Sequence, residues 1–64
     1  MQVILPDKSV RTLPGDPLPV AQILMSLGIK PSGVIVVKNG CLVPDDVLAR
    51  GDDQIRLIRI AHGG

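Results

Sequence analysis

The sequence predicts a two-layer α+β domain, with one helix laid across one face of a sheet whose strands are mostly hairpin-joined. Three observations lead there. Two pairs of apolar, β-rich runs flank short turn sequences, one helical stripe lies between the pairs, and a further apolar run follows near the end of the chain. The 64 residues fit one domain, residues 1–60, followed by a flexible C-terminal tail, 61–64. At this size folding buries only about 60% of the surface the unfolded chain exposes. With no Phe, Tyr or Trp, the core must be built from Val, Ile, Leu, Met and Ala.

The elements follow in order. Met1 to Leu5 and Ser9 to Leu13 form a hairpin around the turn residues Pro6-Asp7-Lys8. Val3 and Leu5 share its buried face, with Val10 or Leu13 opposite. Pro14 to Pro19 holds three prolines and reads as a stiff connector, with Pro17 (Asp16 as N-cap) or Pro19 starting the helix. Val20, Ile23, Leu24 and Leu27 then fall at i, i+3, i+4 and i+7, one helical stripe, while Ala21 and Met25 fill the core margin beside it. Gly28 is the C-terminal stop and Pro31 lies beyond it. Val34 to Val37 is the strongest strand signal. Asn39-Gly40, the preferred two-residue turn, returns the chain into Cys41-Leu42-Val43. Asp45 or Asp46 caps a short helical turn, Val47 to Arg50, stopped by Gly51. Asp52-Asp53 turns into the last strand, Gln54 to Ile60. The order is ββαββ, a short helical turn, then a final strand, giving a mixed sheet of four to five strands. Its first and last strands are expected to pair in parallel at the centre.

Composition narrows the function classes. Net charge is +1 with scattered basic residues and no aromatic platform, which argues against direct nucleic-acid binding. One Cys and one His exclude an intrachain disulfide and leave only aspartates to complete a metal site, so none is expected. No apolar run approaches the roughly 20 residues of a membrane span, and Met1 to Pro6 lacks the features of a signal peptide. A cytoplasmic protein is expected.

The chemistry is expected at the tail. Ala61-His62-Gly63-Gly64 follows an anchored strand directly. Two glycines let a partner's walls approach the backbone closely, and four extended residues reach roughly 13–14 Å, enough to enter a narrow enzyme channel. The α-carboxyl, with an ordinary pKa of about 3.3–3.7, is ionised at neutral pH. A carboxylate is a poor acyl electrophile, so chemistry at Gly64 requires activation, for instance by adenylation with ATP. Plain terminal residues are the structural alternative.

Val37-Lys38-Asn39-Gly40-Cys41-Leu42-Val43-Pro44 resembles the V-N-G-x-x-V-P hairpin of the ubiquitin-like β-grasp sulfur carriers of the ThiS/MoaD family, with Lys38 as an extra residue. Gly51-Asp52 leading into Ile55-Arg56-Leu57-Ile58-Arg59 resembles the G-D-x-V-x-I-V-R of the thiamine-type members, and Gly63-Gly64 falls at the family's terminal diglycine. The resemblance spans essentially the whole chain. It departs at His62, where thiamine-type carriers have a third glycine, at the longer Asp53-Gln54 turn, and at Asp45-Asp46-Val47, where a bulky residue is usual. The resemblance implies a carrier that is not itself an enzyme. A ubiquitin-activating-like adenylyltransferase would attach AMP to Gly64. A sulfur donor such as a cysteine desulfurase would leave a thiocarboxylate, and an acceptor synthase would take the sulfur for thiamine, molybdopterin or tRNA thiolation. No cofactor is expected on the chain; ATP belongs to the activating enzyme. Gly63, His62 and Ala61 would serve tail recognition.

Other residue patterns weigh less. The pairs Asp45/Asp46 and Asp52/Asp53 fit turns better than acid–base catalysis, and no catalytic residue is expected. Cys41 reads as a small strand residue, and His62 as a solvated tail residue whose charge could still tune the tail. Arg56 and Arg59 fall on opposite strand faces. Leu42, Val43, Ile58 and Ile60 are candidates for an apolar partner-docking surface. Two other function classes share the pattern: a modifier conjugated through Gly64 to target lysines, and a β-grasp interaction module with an inert tail.

Overall fold

The structure, a computed structural model, describes residues 1–60. The opening hairpin pairs β1 (Gln2–Ile4) with β2 (Val10–Thr12) in antiparallel register. Its turn is closed by Leu5 N–H on Ser9 O and Lys8 N–H on Leu5 O, both at 2.8 Å. Asp7 Oδ1 accepts from the Ser9 amide at 2.9 Å and from the Ser9 hydroxyl at 2.6 Å, as Asp does in turns. Of the two candidates for the hairpin's buried side, Leu13 packs against the core and Val10 is exposed.

The proline connector contains more order than its sequence suggests. Leu18–Pro19 forms a short strand, β3, and the helix α1 (Val20–Ser26) starts one residue after Pro19, the later of the two expected starts, with Pro19 as its extended N-cap. Neither Pro17 nor Pro19 is the first helical residue. No side chain caps the helix. The chain around residue 46 does so instead, since Val20 N–H donates to Val47 O at 2.9 Å and Ala21 N–H to Asp45 O at 2.8 Å. At the other end Gly28, at φ +73, donates to Met25 O, and Ile29 N–H donates to Leu24 O. These two bonds form a Schellman stop of the kind the glycine announces. Met25 is 72% exposed, so it lies on the solvent side of the helix and not at the core margin.

A 3-10 turn at Pro31–Gly33 leads into β4 (Val34–Lys38), which returns through Asn39 (φ +50) and Gly40 (φ +84) into β5 (Cys41–Val43). Two successive positive φ values make this the expected type I′ turn. The helical turn expected at Val47 to Arg50 does not form. Pro44 to Val47 is a β-turn, and Leu48–Ala49 is a strand, β6, paired antiparallel with β3. Ala49 is fully buried there, and the segment's carbonyls serve the helix N-terminus. Tertiary hydrogen bonds thus outweigh a local helical tendency worth only tenths of a kcal/mol per residue. The final strand, β7, spans Gln54–Arg59.

The main sheet is mixed and five-stranded, in the order β2-β1-β7-β4-β5, with β1 and β7 parallel and the other pairs antiparallel. The last strand of the described chain is therefore its central one. Val3, Val34, Val36, Ile55 and Leu57 point from the sheet to one side, where Val20, Ile23 and Leu24 of the helix meet them. Among the described residues no polar side chain is buried. No helix among them is long and apolar enough to cross a membrane.

Candidate functional site

Because side chains alternate along a strand, burying Val34, Val36, Ile55 and Leu57 under the helix turns the residues between them to the opposite, uncovered face. The register assembles them. Val10 lies opposite Ile4, Ile4 opposite Arg56, Arg56 opposite Val37, and Val37 opposite Leu42. This is one row across all five strands, apolar except for Arg56 on the central strand. Ile35 and Ile58 pair in the adjacent row. Val10 (54%), Ile35 (41%), Leu42 (73%) and Ile58 (43%) are all well exposed. Large apolar side chains scattered singly are ordinary; four in two neighbouring rows form a patch of the kind that receives partners.

Leu42 and Ile58 thus share the open face. Val43 does not join them: it pairs with Val36 on the covered side and packs against the core. Adjacent residues of a strand cannot occupy one face. Ile60 follows the strand, where its N–H donates to Gly33 O at 3.0 Å and its side chain lines a recess with Pro6, Ile29 and Lys30. Arg59 lines that recess too, while Arg56 stays on the open face. Ala61, His62, Gly63 and Gly64 lie outside the described residues.

A polar knot anchors the start of the central strand. Asp53 Oδ1 accepts from Asn39 Nδ2 at 3.0 Å, and its Oδ2 accepts from Arg50 N–H at 3.0 Å. Asn39 Oδ1 in turn accepts from Gln54 N–H at 2.9 Å. Lys38 Nζ donates to Leu48 O at 3.1 Å and stands 3.8 Å from Asp53 Oδ2. The Asn39 hydrogen bond, helped by the Arg50 amide, holds the Asp53 carboxyl below its ordinary value. Asp52 and Asp53 are thus turn residues, and Asp45 and Asp46 form the turn before β6. Sequence reading missed the knot, because nothing in the spacing of Asn39 and Asp53 says that they meet. The Arg56 row was within reach of period-2 counting, but only the strand order places Val10, Ile4, Val37 and Leu42 in line with it. Among the described residues no group of three or more His, Cys, Asp or Glu is placed to hold a metal ion. Cys41 is free and exposed.

No family model matches the chain. An uncharacterized protein from Archaeoglobus fulgidus is 43% identical over 44 residues, which are 69% of this chain and 64% of that protein; the chain spans less than two thirds of this relative. A crystal structure of the thiamine biosynthesis protein ThiS from Geobacter metallireducens matches with a TM-score of 0.69, covering 100% of both chains at 23% sequence identity. The chain therefore has the ubiquitin-like β-grasp fold of ThiS, a mixed five-stranded sheet packed on one helix.

Proposed function

We propose that this chain is a sulfur carrier whose Gly64 carboxylate is adenylated and then converted to a thiocarboxylate. The observation that carries the reading is the end-to-end likeness to ThiS in a chain whose central strand, Gln54–Arg59, stands one residue before Ala61-His62-Gly63-Gly64 in the sequence. The carboxylate attacks the α-phosphorus of ATP and releases pyrophosphate, which turns a poor acyl electrophile into a mixed anhydride. Hydrosulfide adds to that carbonyl and expels AMP, leaving the thiocarboxylate on Gly64. Sulfur relayed as a persulfide from a cysteine desulfurase expels AMP to give an acyl disulfide. A thiol then breaks its S–S bond, freeing the thiocarboxylate and leaving the thiol in a disulfide with the donor's sulfur. ATP is bound by a ubiquitin-activating-like adenylyltransferase, and an acceptor synthase takes the sulfur into thiamine, molybdopterin or a thiolated tRNA. The chain is a cytoplasmic substrate of these enzymes and holds no cofactor. Its own part is mechanical: Gly63 and Gly64 keep the tail narrow, Ala61 and His62 lead it into the channel, and Leu42 and Ile58 dock the activating enzyme.

The test is intact mass after incubation with the adenylyltransferase, ATP and sulfide. A gain equal to exchanging one oxygen for sulfur, absent in a chain lacking Gly64, is the expected result. Absence of both the AMP adduct and the sulfur gain, with an enzyme active on its own carrier, would sink the reading.

A further inference from the structure

The open face carries a charge as well as an apolar surface, and the charge sits at its centre. Of the strand cations Arg11, Lys38, Arg56 and Arg59, only Arg56 projects from this face, since Arg11 pairs with Val3 and Lys38 with Ile55, both in register with the covered side. All six acidic residues lie in turns or loops and none in a strand. Among the described residues the Arg56 side chain forms no ion pair. It helps line a shallow pit with Gln54, Gly40, Ile4 and Val37, so a guanidinium and a carboxamide sit between apolar walls.

Resting on the reading that an activating enzyme docks here, we propose that Arg56 makes the open face select a protein partner presenting a carboxylate inside an apolar ring. The planar guanidinium fork matches a carboxylate with two parallel hydrogen bonds, which a lysine cannot offer. Ile4 and Val37 beside the pit, with Leu42 and Val10 further out along the row, exclude water from the pair once the partner seats, and this strengthens it. Arg ringed by apolar contacts is also a common arrangement for residues that dominate binding energy. A second copy of the chain is the alternative occupant, and the charge disfavours it. A two-fold packing of this face on itself brings the two central strands together, placing Arg56 near Arg56 with no carboxylate from either sheet between them. Location also favours the enzyme, because a partner that grips Arg56 and Ile58 holds the strand from which the tail emerges.

The experiment titrates purified adenylyltransferase of the ubiquitin-activating type, from the same organism, with the full chain by calorimetry without ATP. Wild type is compared with R56K, R56Q and R56E. The position is exposed, and amide spectra confirm that each variant is folded. R56E is expected to weaken binding by about tenfold or more, R56Q by less and R56K least, with affinity regained when the facing enzyme carboxylate is changed to lysine. Equal binding by wild type and R56E overturns the proposal. So does absence of wild-type binding to an enzyme active on its own carrier, or a wild-type dimer that forms through this face. AMP transfer is read separately by mass with ATP present. Charge-dependent binding without adenylation would keep this proposal and sink the carrier reading, and adenylation with charge-independent binding would do the reverse.

Discussion

Asp53 ties the Lys38-Asn39 end of β4 to the Arg50–Asp53 turn through one carboxylate, and its protonation state therefore affects the fold. Its carboxyl is held below the ordinary value by Asn39 first and the Arg50 amide second, and Asp7 is held down by the Ser9 hydroxyl and amide. A carboxyl whose folded value lies below its unfolded one, about 3.9, contributes its stability fully above that unfolded value. The contribution is lost as pH falls through the folded value. The urea midpoint is therefore expected to hold between about pH 7 and pH 5 and to fall below about pH 4. A D7N/D53N double variant should show a shallower acid limb, and an unchanged limb would mean these bonds do not differ between folded and unfolded chain. Lys8 offers a second residue-scale test, because it holds φ +73 in the opening turn. A left-handed side chain is strained by about 1–2 kcal/mol, while glycine loses about 0.4–1 kcal/mol more through the unfolded state. The difference favours K8G by about 0.5 kcal/mol, measurable as a raised urea midpoint.

The helix shows best how an element gets its stability here. Seven residues with no side-chain cap, no acid in the first turn and no base in the last are too short to persist alone in water. Val20, Ile23 and Leu24, all at most 1% exposed, hold the helix on the sheet. L24A is expected to destabilise by about 2–5 kcal/mol, a large part of the 3–10 kcal/mol expected at about 0.05–0.15 per residue. The variant should unfold at a much lower urea concentration than wild type, and a loss under about 1 kcal/mol would mean that the core closes over the cavity. Sequence periodicity revealed the helical stripe and the strands because each is a local repeat. It revealed the Asn39-Gly40 turn because that dipeptide accepts two positive φ values. Leu48–Ala49 escaped it for the opposite reason: its strand conformation comes from pairing with Leu18–Pro19, some thirty residues earlier in the chain. The start of α1 was misplaced on the same account, since its first amides are satisfied by Val47 and Asp45 and a sequence window cannot see them. The open face was half legible: Leu42, Val43, Ile58 and Ile60 stand together as candidates in the sequence, and pleating keeps Leu42 and Ile58 on that face while turning Val43 to the covered side.

At the scale of the whole molecule, the strand that leads to the tail is also the strand on which the sheet is built. β7 pairs with β1 on one side and β4 on the other, and its Ile55 and Leu57 are fully or almost fully buried. This strand is therefore fixed as firmly as the core, as the proposed presentation of Gly64 to an enzyme channel requires. Among the described residues every buried residue of the core lies between Met1 and Leu57, and the Ile60–Gly33 hydrogen bond secures the strand's end. Fold and chemistry should then separate at Ile60. A chain truncated after Ile60 is expected to keep the full chain's urea midpoint and amide spectrum and to accept no AMP. One truncated after Asp53 should not fold, because it loses the central strand with Ile55 and Leu57. If truncation after Ile60 lowered stability by more than about 0.5 kcal/mol, the range of surface changes that touch no structural feature, the last four residues would belong to the fold. If that chain were still adenylated, Gly64 would not be the reacting terminus. Equal stability with all AMP transfer lost would leave residues 1–60 as scaffold and docking face, with 61–64 carrying the reactive end.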